Sequence, residues 1–206
     1  MAKFIRDKRL PRAFYERGAV TVARELLGKY LHRVLPQGEL VGKIVEVEAY
    51  TADDPACHAF RGKTPRNAVL FDDPGLAYIY FTYGMHHCFN VSTDAFGTAG
   101  AVLVRGIEPI KGIEEMRLRR KKIARDFDLT NGPGKICAAF ALDRAQNGID
   151  LVSSDEVFIT QGLPVHESEI EISTRIGITV AVEFPWRFYV KSNPFVSRGK
   201  PSGDRA

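Results

Sequence analysis

Cysteine is scarce in this chain. Its three residues, Cys57, Cys88 and Cys137, are odd in number and show no C-x-x-C spacing, which argues against a disulfide framework and a sulfur-rich zinc site and fits a reducing compartment. Long apolar runs are missing too: nothing approaches the roughly 18 consecutive apolar residues of a membrane helix. The opening MAKFIRDKRLPRAF is basic and interrupted, where a signal peptide would be apolar. There is no repeat or low-complexity segment. His58, His86 and His87 have no carboxylate or cysteine at the spacing of a tetrahedral metal site, and adjacent histidines on a strand point apart. GPGKIC lacks the full G-x-x-x-x-G-K-[ST] pattern of a P-loop. These absences predict a soluble, cytoplasmic protein with no membrane partner, metal or cofactor.

What is present suffices for a folded body. The 206 residues are 45% hydrophobic, enough for a substantial core in one domain spanning 1–206. Net charge is only +4, yet Arg117, Arg119, Arg120, Lys121, Lys122 and Arg125 crowd one stretch, and Lys8, Arg9, Arg12 and Arg17 sit near the start. Such clusters are either solvated faces or an electrostatic footprint for nucleic acid.

Periodicity predicts a short helix over 22–27, capped by Thr21 and closed by Gly28, then strands over 30–34 and 39–50. Residues 51–74 collect Asp, Gly and Pro and read as a long loop, a segment that tends to carry function. Strands over 76–82 and 87–93 flank YGMH and form a protruding hairpin. A strand over 101–107, a helix over 108–125, a helix capped by Asn131 and running through GPGKICAAFAL, and closing strands over 156–161, 171–183 and 187–190 complete an α+β fold. Its sheet is curved and mainly antiparallel, with flanking helices. The tail from Ser197 is expected to fray.

The stretch KIVEVEAY poses a question of its own. Strict alternation sets Val45, Val47 and Ala49 on one face and Ile44, Glu46, Glu48 and Tyr50 on the other. The two carboxylates, roughly 7 Å apart by strand rise, are either an acid and base pair or a solvated edge. Tyr78, Tyr80 and Thr82 share a face by the same parity. Tyr83 has the opposite parity and falls at the hairpin tip, a place suited to wedging between stacked bases. Lys135 and the amides at a helix start offer a phosphate site.

VEVEAY, H-x-x-RGKTPRN, YIYFTYGMHHCFNVS, AVLVRGIEPI, NGPGKICAAF and RFYVKSNPFVS resemble, in that order, motifs of the alkyladenine (3-methyladenine) DNA glycosylase family, in its compact bacterial form. The resemblance runs from about Gly28 to Ser197. It implies a monofunctional enzyme that turns damaged purines (3-methyladenine, 7-methylguanine, hypoxanthine, ethenoadenine) out of duplex DNA and hydrolyses the bond to deoxyribose, initiating base excision repair as a monomer associated with the nucleoid. It implies that Glu48 is catalytic, with Arg105 and the carbonyl of Val190 orienting the water, and it transfers no role to Glu46. Tyr50, Tyr80, His58 and Asn90 would form the base pocket, with the backbone of Ala56 and His58 reading the purine edge. Tyr83 and Met85 would fill the gap left in the duplex, and Thr64, Arg66, Gly134 and Lys135 would meet the DNA backbone.

Two departures stand out: the chain is one residue shorter between Tyr50 and His58 than familiar members, and His87 replaces a larger aromatic. Two other readings use the same residues: a damaged-DNA-binding protein without turnover, and a glycosylase and lyase with Lys135 as nucleophile.

Overall fold

A computed structural model describes residues 8–121 and 123–203; residues 1–7, Lys122 and residues 204–206 lie outside the described residues. In chain order it contains α1 (Arg12–Tyr15), α2 (Ala19–Leu26), β1 (Tyr30–Leu35), β2 (Gly38–Tyr50), β3 (Ala77–Thr82), β4 (His86–Thr93) and β5 (Gly100–Lys111). These are followed by α3 (Ile113–Arg119), α4 (Pro133–Phe140), β6 (Val157–Thr160), β7 (Ile170–Ser173) and β8 (Arg187–Val190). The eight strands make one antiparallel sheet with the path β3-β4-β5-β2-β1-β6. β2 is long enough to hold two partners on one edge: β1 along residues 38–43, and β8, backed by β7, along residues 46–48. The sheet curls, and the α+β class expected from the sequence is what the chain adopts.

The two faces of the sheet differ in chemistry. One carries Ile44, Val47 and Ala49 of β2, Val102, Val104 and Ile107 of β5, Phe89 and Val91 of β4, and Ala77 and Ile79 of β3, all in the main core. Against this core lie α2, whose buried Ala19, Val22, Ala23 and Leu26 recur at helical spacing, and α4, with Ile136, Cys137, Ala139 and Phe140. The opposite face holds a smaller cluster of Cys57, Ala59, Leu70, Tyr78, Ala99 and Ala101, with Tyr50 and Tyr80 packed on it, beneath the loop 51–76.

Strict alternation fails in β2 and at one informative place. The pairing with β5 slips three times: once at Val41 and Gly42, which face Lys111 and Pro109, and twice around Glu46, where Ile44 faces Ile107 while Glu46 faces Gly106, and Val47 then faces Val104. Val45 is thus the extra residue on β2 and Arg105 the extra residue on β5, two β-bulges that cancel. The bulge moves Ile44 into the core beside Val47 and Ala49, off the face where parity had set it with Glu46 and Glu48. At the same spot Gly106 permits close approach, since a Cβ there would meet the Phe195 carbonyl at 2.7 Å and Glu46 Cβ at 2.9 Å.

Other boundaries differ from expectation for local reasons. The segment expected as a helix over 108–125 begins as strand, because cross-strand pairing of Glu108 with Lys43, joined by a 2.8 Å ion pair, outweighs helical composition. Gly112, at φ 77°, then ends the strand before α3. In the segment expected as a strand over 171–183, β7 stops at Ser173; Gly177 (φ 79°) and Ala181 (φ 49°) turn the chain back. Thr21 lies inside α2, whose N-cap is Gly18, and α4 is capped by Gly132. Asn131 instead accepts from Lys135 Nζ at 2.7 Å. The tail does not fray at Ser197. Ser197 and Ser202 are buried and hydrogen-bonded, and only 204–206 of the expected frayed segment fall outside the described residues.

Candidate active site

Strand register sets a row of side chains across the sheet's second face. Arg187 lies opposite Glu48, Glu48 opposite Leu103, Leu103 opposite Asn90, and Asn90 opposite Tyr78. Four adjacent strands thereby place a carboxylate, an aliphatic floor, an amide and a phenol side by side. Tyr50, Ala101, Tyr80 and Cys88 lie one step along the same face. Together with Ala56, Cys57 and His58 from the loop after β2 and residues 176–180, they line a cavity of about 510 Å³.

Glu48 is wholly buried just behind this lining. Its Oε2 accepts from the Tyr50 hydroxyl at 2.8 Å and from Arg105 Nη1 at 3.3 Å, and its Oε1 accepts from the Ile176 amide at 2.7 Å. A buried carboxylate requires such donors, because leaving it bare in a low-dielectric site costs several kcal/mol or about that order. Burial works against the charge on Arg105, but the carboxylates of Glu48 and Glu46 outweigh it and hold the guanidinium above its usual value. Burial, and next the charge of Glu48, push the Tyr50 phenol well above the ordinary tyrosine range, so it donates to Glu48 as a neutral hydroxyl.

The recess itself is aromatic. The rings of His58 and Tyr80 are 4.4 Å apart and those of Tyr78 and Tyr80 5.4 Å apart, measured between centroids. His58 is exposed by area at the mouth, yet its Nδ1 pairs with the Tyr78 hydroxyl at 2.9 Å. Desolvation by these neighbours, and secondarily the charge of Arg66, hold its imidazole below the ordinary histidine value. Burial pushes the Tyr78 phenol up to about 12 and the Cys57 thiol up to about 11, so neither is an anion at neutral pH. The Arg66 guanidinium stands 5.5 Å from the Tyr80 ring centroid.

Tyr83 (80% exposed) and Met85 (69%) occupy the turn between β3 and β4. Tyr83 has φ 52° and is followed by Gly84 at 66°. A bulky side chain in the left-handed region is strained, and its persistence at an exposed tip points to use rather than packing.

Of the residues singled out from the sequence, Arg105, Tyr50, Tyr80, His58, Ala56, Asn90 and Tyr83 line this one cavity, and Glu48 lies directly behind its lining, bonded to Tyr50, Arg105 and Ile176. Asn90 is buried and donates to the carbonyls of Tyr78 (3.1 Å) and Cys88 (3.4 Å). Ala56 lines the recess; its amide is bonded to Asp54 Oδ1 at 2.9 Å, and the His58 carbonyl accepts from Asn67 Nδ2 at 2.8 Å.

Val190 does not join them. It pairs with Ile170, its carbonyl accepts from the Asn193 amide at 3.3 Å, and the backbone beside Glu48 is that of Ile176. Thr64 and Arg66 are exposed near the mouth, with the Thr64 amide on Asn67 Oδ1 at 2.6 Å. Gly134 starts α4 against His86, and Lys135 is bound to Asn131 and stands outside the cavity wall.

Much of the basic stretch is matched within the chain: Arg117 to Asp126 at 2.8 Å, Arg119 to Glu115 at 2.8 Å and Arg125 to Asp128 at 3.0 Å. Arg9, Arg12 and Arg17 likewise pair with Asp155, Asp150 and Glu25. Among the described residues no group of three or more His, Cys, Asp or Glu is placed to hold a metal ion, and no helix is long and apolar enough to cross a membrane.

The sequence leaves Glu46 as half of an acid and base pair or part of a solvated edge, and the resemblance gives it no role; the structure makes it a buried hub. It is wholly buried, accepting from Arg187 Nε (2.8 Å), Arg105 Nε (3.3 Å), the Ser197 amide (2.5 Å) and the Ser197 hydroxyl (2.7 Å). Arg105 is therefore shared between a structural carboxylate and the cavity carboxylate. An acidic residue inside an otherwise apolar strand, with two arginines among the later strands, was the available signal.

A buried carboxylate supplied with three hydrogen-bond donors beside an aromatic recess defines a class of site able to steady a cationic sugar while a flat base sits between rings. Comparison makes the assignment narrower. A profile of the Methylpurine-DNA glycosylase (MPG) family matches residues 13–194. A protein of Carboxydothermus hydrogenoformans named "Putative 3-methyladenine DNA glycosylase" is 52% identical over 190 residues, 92% of this chain and 98% of its own length. Proteins of the same name from Methanocella arvoryzae (46%; 93% and 97% covered) and Clostridium perfringens strain 13 (47%; 92% and 99% covered) are similarly related. The chain belongs to the methylpurine-DNA glycosylase family. It is a DNA repair hydrolase of N-glycosyl bonds, of the 3-methyladenine DNA glycosylase type.

Proposed function

We propose that this enzyme excises alkylated or deaminated purines, of the 3-methyladenine, 7-methylguanine, hypoxanthine and ethenoadenine class, from duplex DNA by flipping the nucleotide into the cavity and directing water onto C1′. The observation that carries the reading is the Glu48 carboxylate, buried and held by Tyr50, Arg105 and Ile176, three residues that line an aromatic recess. As the C1′–N bond lengthens, its electron pair leaves with the base and positive charge develops on the sugar; Glu48 stabilises that charge. The water oxygen bonds to C1′ and its proton passes to the carboxylate. An alkylated purine that enters as a cation leaves neutral and needs no acid.

Tyr50, Tyr78, Tyr80 and His58 surround the recess, and ring faces attract a cationic base by about 0.5–2 kcal/mol each. The Asn90 amide nitrogen is committed to two backbone carbonyls, so its oxygen is the end left for the base. Tyr83 and Met85, exposed at the turn, fill the space the nucleotide vacates. Thr64, Arg66, Gly134 and Lys135 lie where they can meet phosphates, and Lys135 is not a lyase nucleophile, since it stands off the cavity wall. The same reading has it act as a monomer on nucleoid DNA.

The test is base release from a duplex oligonucleotide. Glu48→Gln is expected to lower single-turnover release of 3-methyladenine or hypoxanthine by about 10²-fold or more while binding of the lesion duplex persists. A variant as fast as the parent would remove Glu48 from the chemistry.

A further inference from the structure

We infer that Asp54 and Arg175 form a positioning pair that sets the geometry of the Glu48 carboxylate and the Tyr50 ring; the inference rests on the glycosylase reading above. Both side chains are fully buried, and they are joined by two contacts, Nη1 to Oδ2 and Nη2 to Oδ1, the latter at 3.1 Å. Two charges taken wholly out of water seldom add net stability, because apolar residues of similar volume would pack as well. Where their remaining hydrogen bonds land therefore matters more.

Each lands beside a cavity residue. Arg175 Nη1 also donates at 3.0 Å to the carbonyl of Ala49, the residue between Glu48 and Tyr50, and Nη2 donates at 3.2 Å to the carbonyl of Ala181, next to the cavity residue Val180. Asp54 Oδ1 accepts from the amide of Ala56, and the Asp54 carbonyl from the amide of Cys57; both residues line the cavity. The guanidinium lies 4.6 Å from the Tyr50 ring centroid and 5.3 Å from that of Trp186. The next residue, Ile176, donates the 2.7 Å bond to Glu48 Oε1.

Residues 51–58 and 174–182 form turns and bends with no strand or helix of their own, so ladder hydrogen bonds do not hold them in register. Ser202 ties the second segment on its outer side, its amide bonded to the Arg175 carbonyl at 2.7 Å. On the inner side the ion pair fastens both segments to the end of β2. A planar, bidentate guanidinium can serve a carboxylate and two carbonyls at once, which an ammonium cannot.

The experiment is a single-turnover titration of enzyme against a duplex carrying 7-methylguanine, giving the rate at saturation and the half-saturating concentration. It compares the parent, Arg175→Lys, and the double substitution Asp54→Asn with Arg175→Met, which leaves no buried charge unpaired. A displacement of about 1 Å in a reacting group costs on the order of 10²-fold. The folded double variant is accordingly expected to lose about 30- to 100-fold in saturating rate while half-saturation stays within about threefold.

Arg175→Lys, which keeps a charge beside Asp54 and with it the fold, is expected to fall between the two and carries the test if the double variant does not fold. A saturating rate within about threefold of the parent, or a parallel loss of rate and affinity, would overturn the inference. A parent that releases no base from any lesion would instead overturn the glycosylase reading.

Discussion

Glu46→Gln is the substitution whose effect can be worked furthest from the structure. Gln keeps the shape of the side chain and one acceptor oxygen, but it removes the charge between Arg105 and Arg187, which are only 7% and 4% exposed. It also turns an NH₂ toward at least one of four donors now satisfied by the carboxylate: Arg187 Nε at 2.8 Å, Arg105 Nε at 3.3 Å, and the amide and hydroxyl of Ser197 at 2.5 and 2.7 Å. Arg105 retains Glu48 as a second partner, whereas Arg187 is left with the Ser173 hydroxyl and the Ser197 carbonyl.

Breaking a buried ion pair by removing one partner costs about 3–5 kcal/mol, against a total stability of about 5–15 kcal/mol for a domain. For a chain of this size each kcal/mol moves the melting midpoint by about 2–4 °C, so a fall of about 6–20 °C is expected. Thermal unfolding followed by circular dichroism at neutral pH measures it, and the loss should survive added salt because buried pairs are poorly screened. Below the lowered midpoint excision should persist, since Glu48 keeps its three donors. A midpoint within about 2 °C of the parent would refute the view that Glu46 holds the two arginines and the C-terminal segment in place.

Two further outcomes are expected. Tyr83→Ala should slow excision from a fully paired duplex more than from a mismatch, which opens at less cost; equal losses on both would contradict the wedge role. With either protein the affinity for duplex should fall with salt at a log-log slope of about 0.9 per phosphate neutralised. His32, stacked on Phe158 at 4.6 Å and hydrogen-bonded to Glu39 and Thr160, is held below its ordinary value of 6.5 by burial, against the opposing pull of Glu39. The unfolded chain then binds the proton that the folded one refuses, so stability is full above pH 6.5 and declines as pH drops below it. Denaturant midpoints measured across that window should flatten in His32→Asn, and an unchanged slope would exclude His32 as the source.

The strands of the sheet were legible because their signals are local. Alternation over β2 and parity in β3 found Glu48, Tyr78 and Tyr80 on the cavity face, and Gly84 marked the turn that exposes Tyr83. What escaped depends on partners distant in the chain. Nothing within residues 44–48 announces that Val45 is an extra residue; only pairing with β5 reveals it. The RIGITVAV stretch alternates as a strand would, yet the buried contact of Arg175 with Asp54, 121 positions away, and two left-handed residues bend it into a loop. The contact of Ile176 with Glu48 therefore has no local signal, and the Val190 position comes from the family resemblance alone. The basic run was visible as charge, and its partners Asp126, Glu115 and Asp128 lie within nine positions, so there side-chain geometry rather than distance is what the sequence leaves open.

The paired bulges at Val45 and Arg105 bear on how this sheet can tolerate change in length. Because around Glu46 each strand carries one surplus residue, losing Val45 alone would rotate the rest of β2 by half a pleat and point Glu48 among the helices, while Val47 would turn toward the recess. Losing Arg105 alone would do the same to the first half of β5. Relatives that keep the chemistry should therefore retain both irregularities or shed both together, a pattern of linked insertions and deletions that can be sought in the lineage without a single assay.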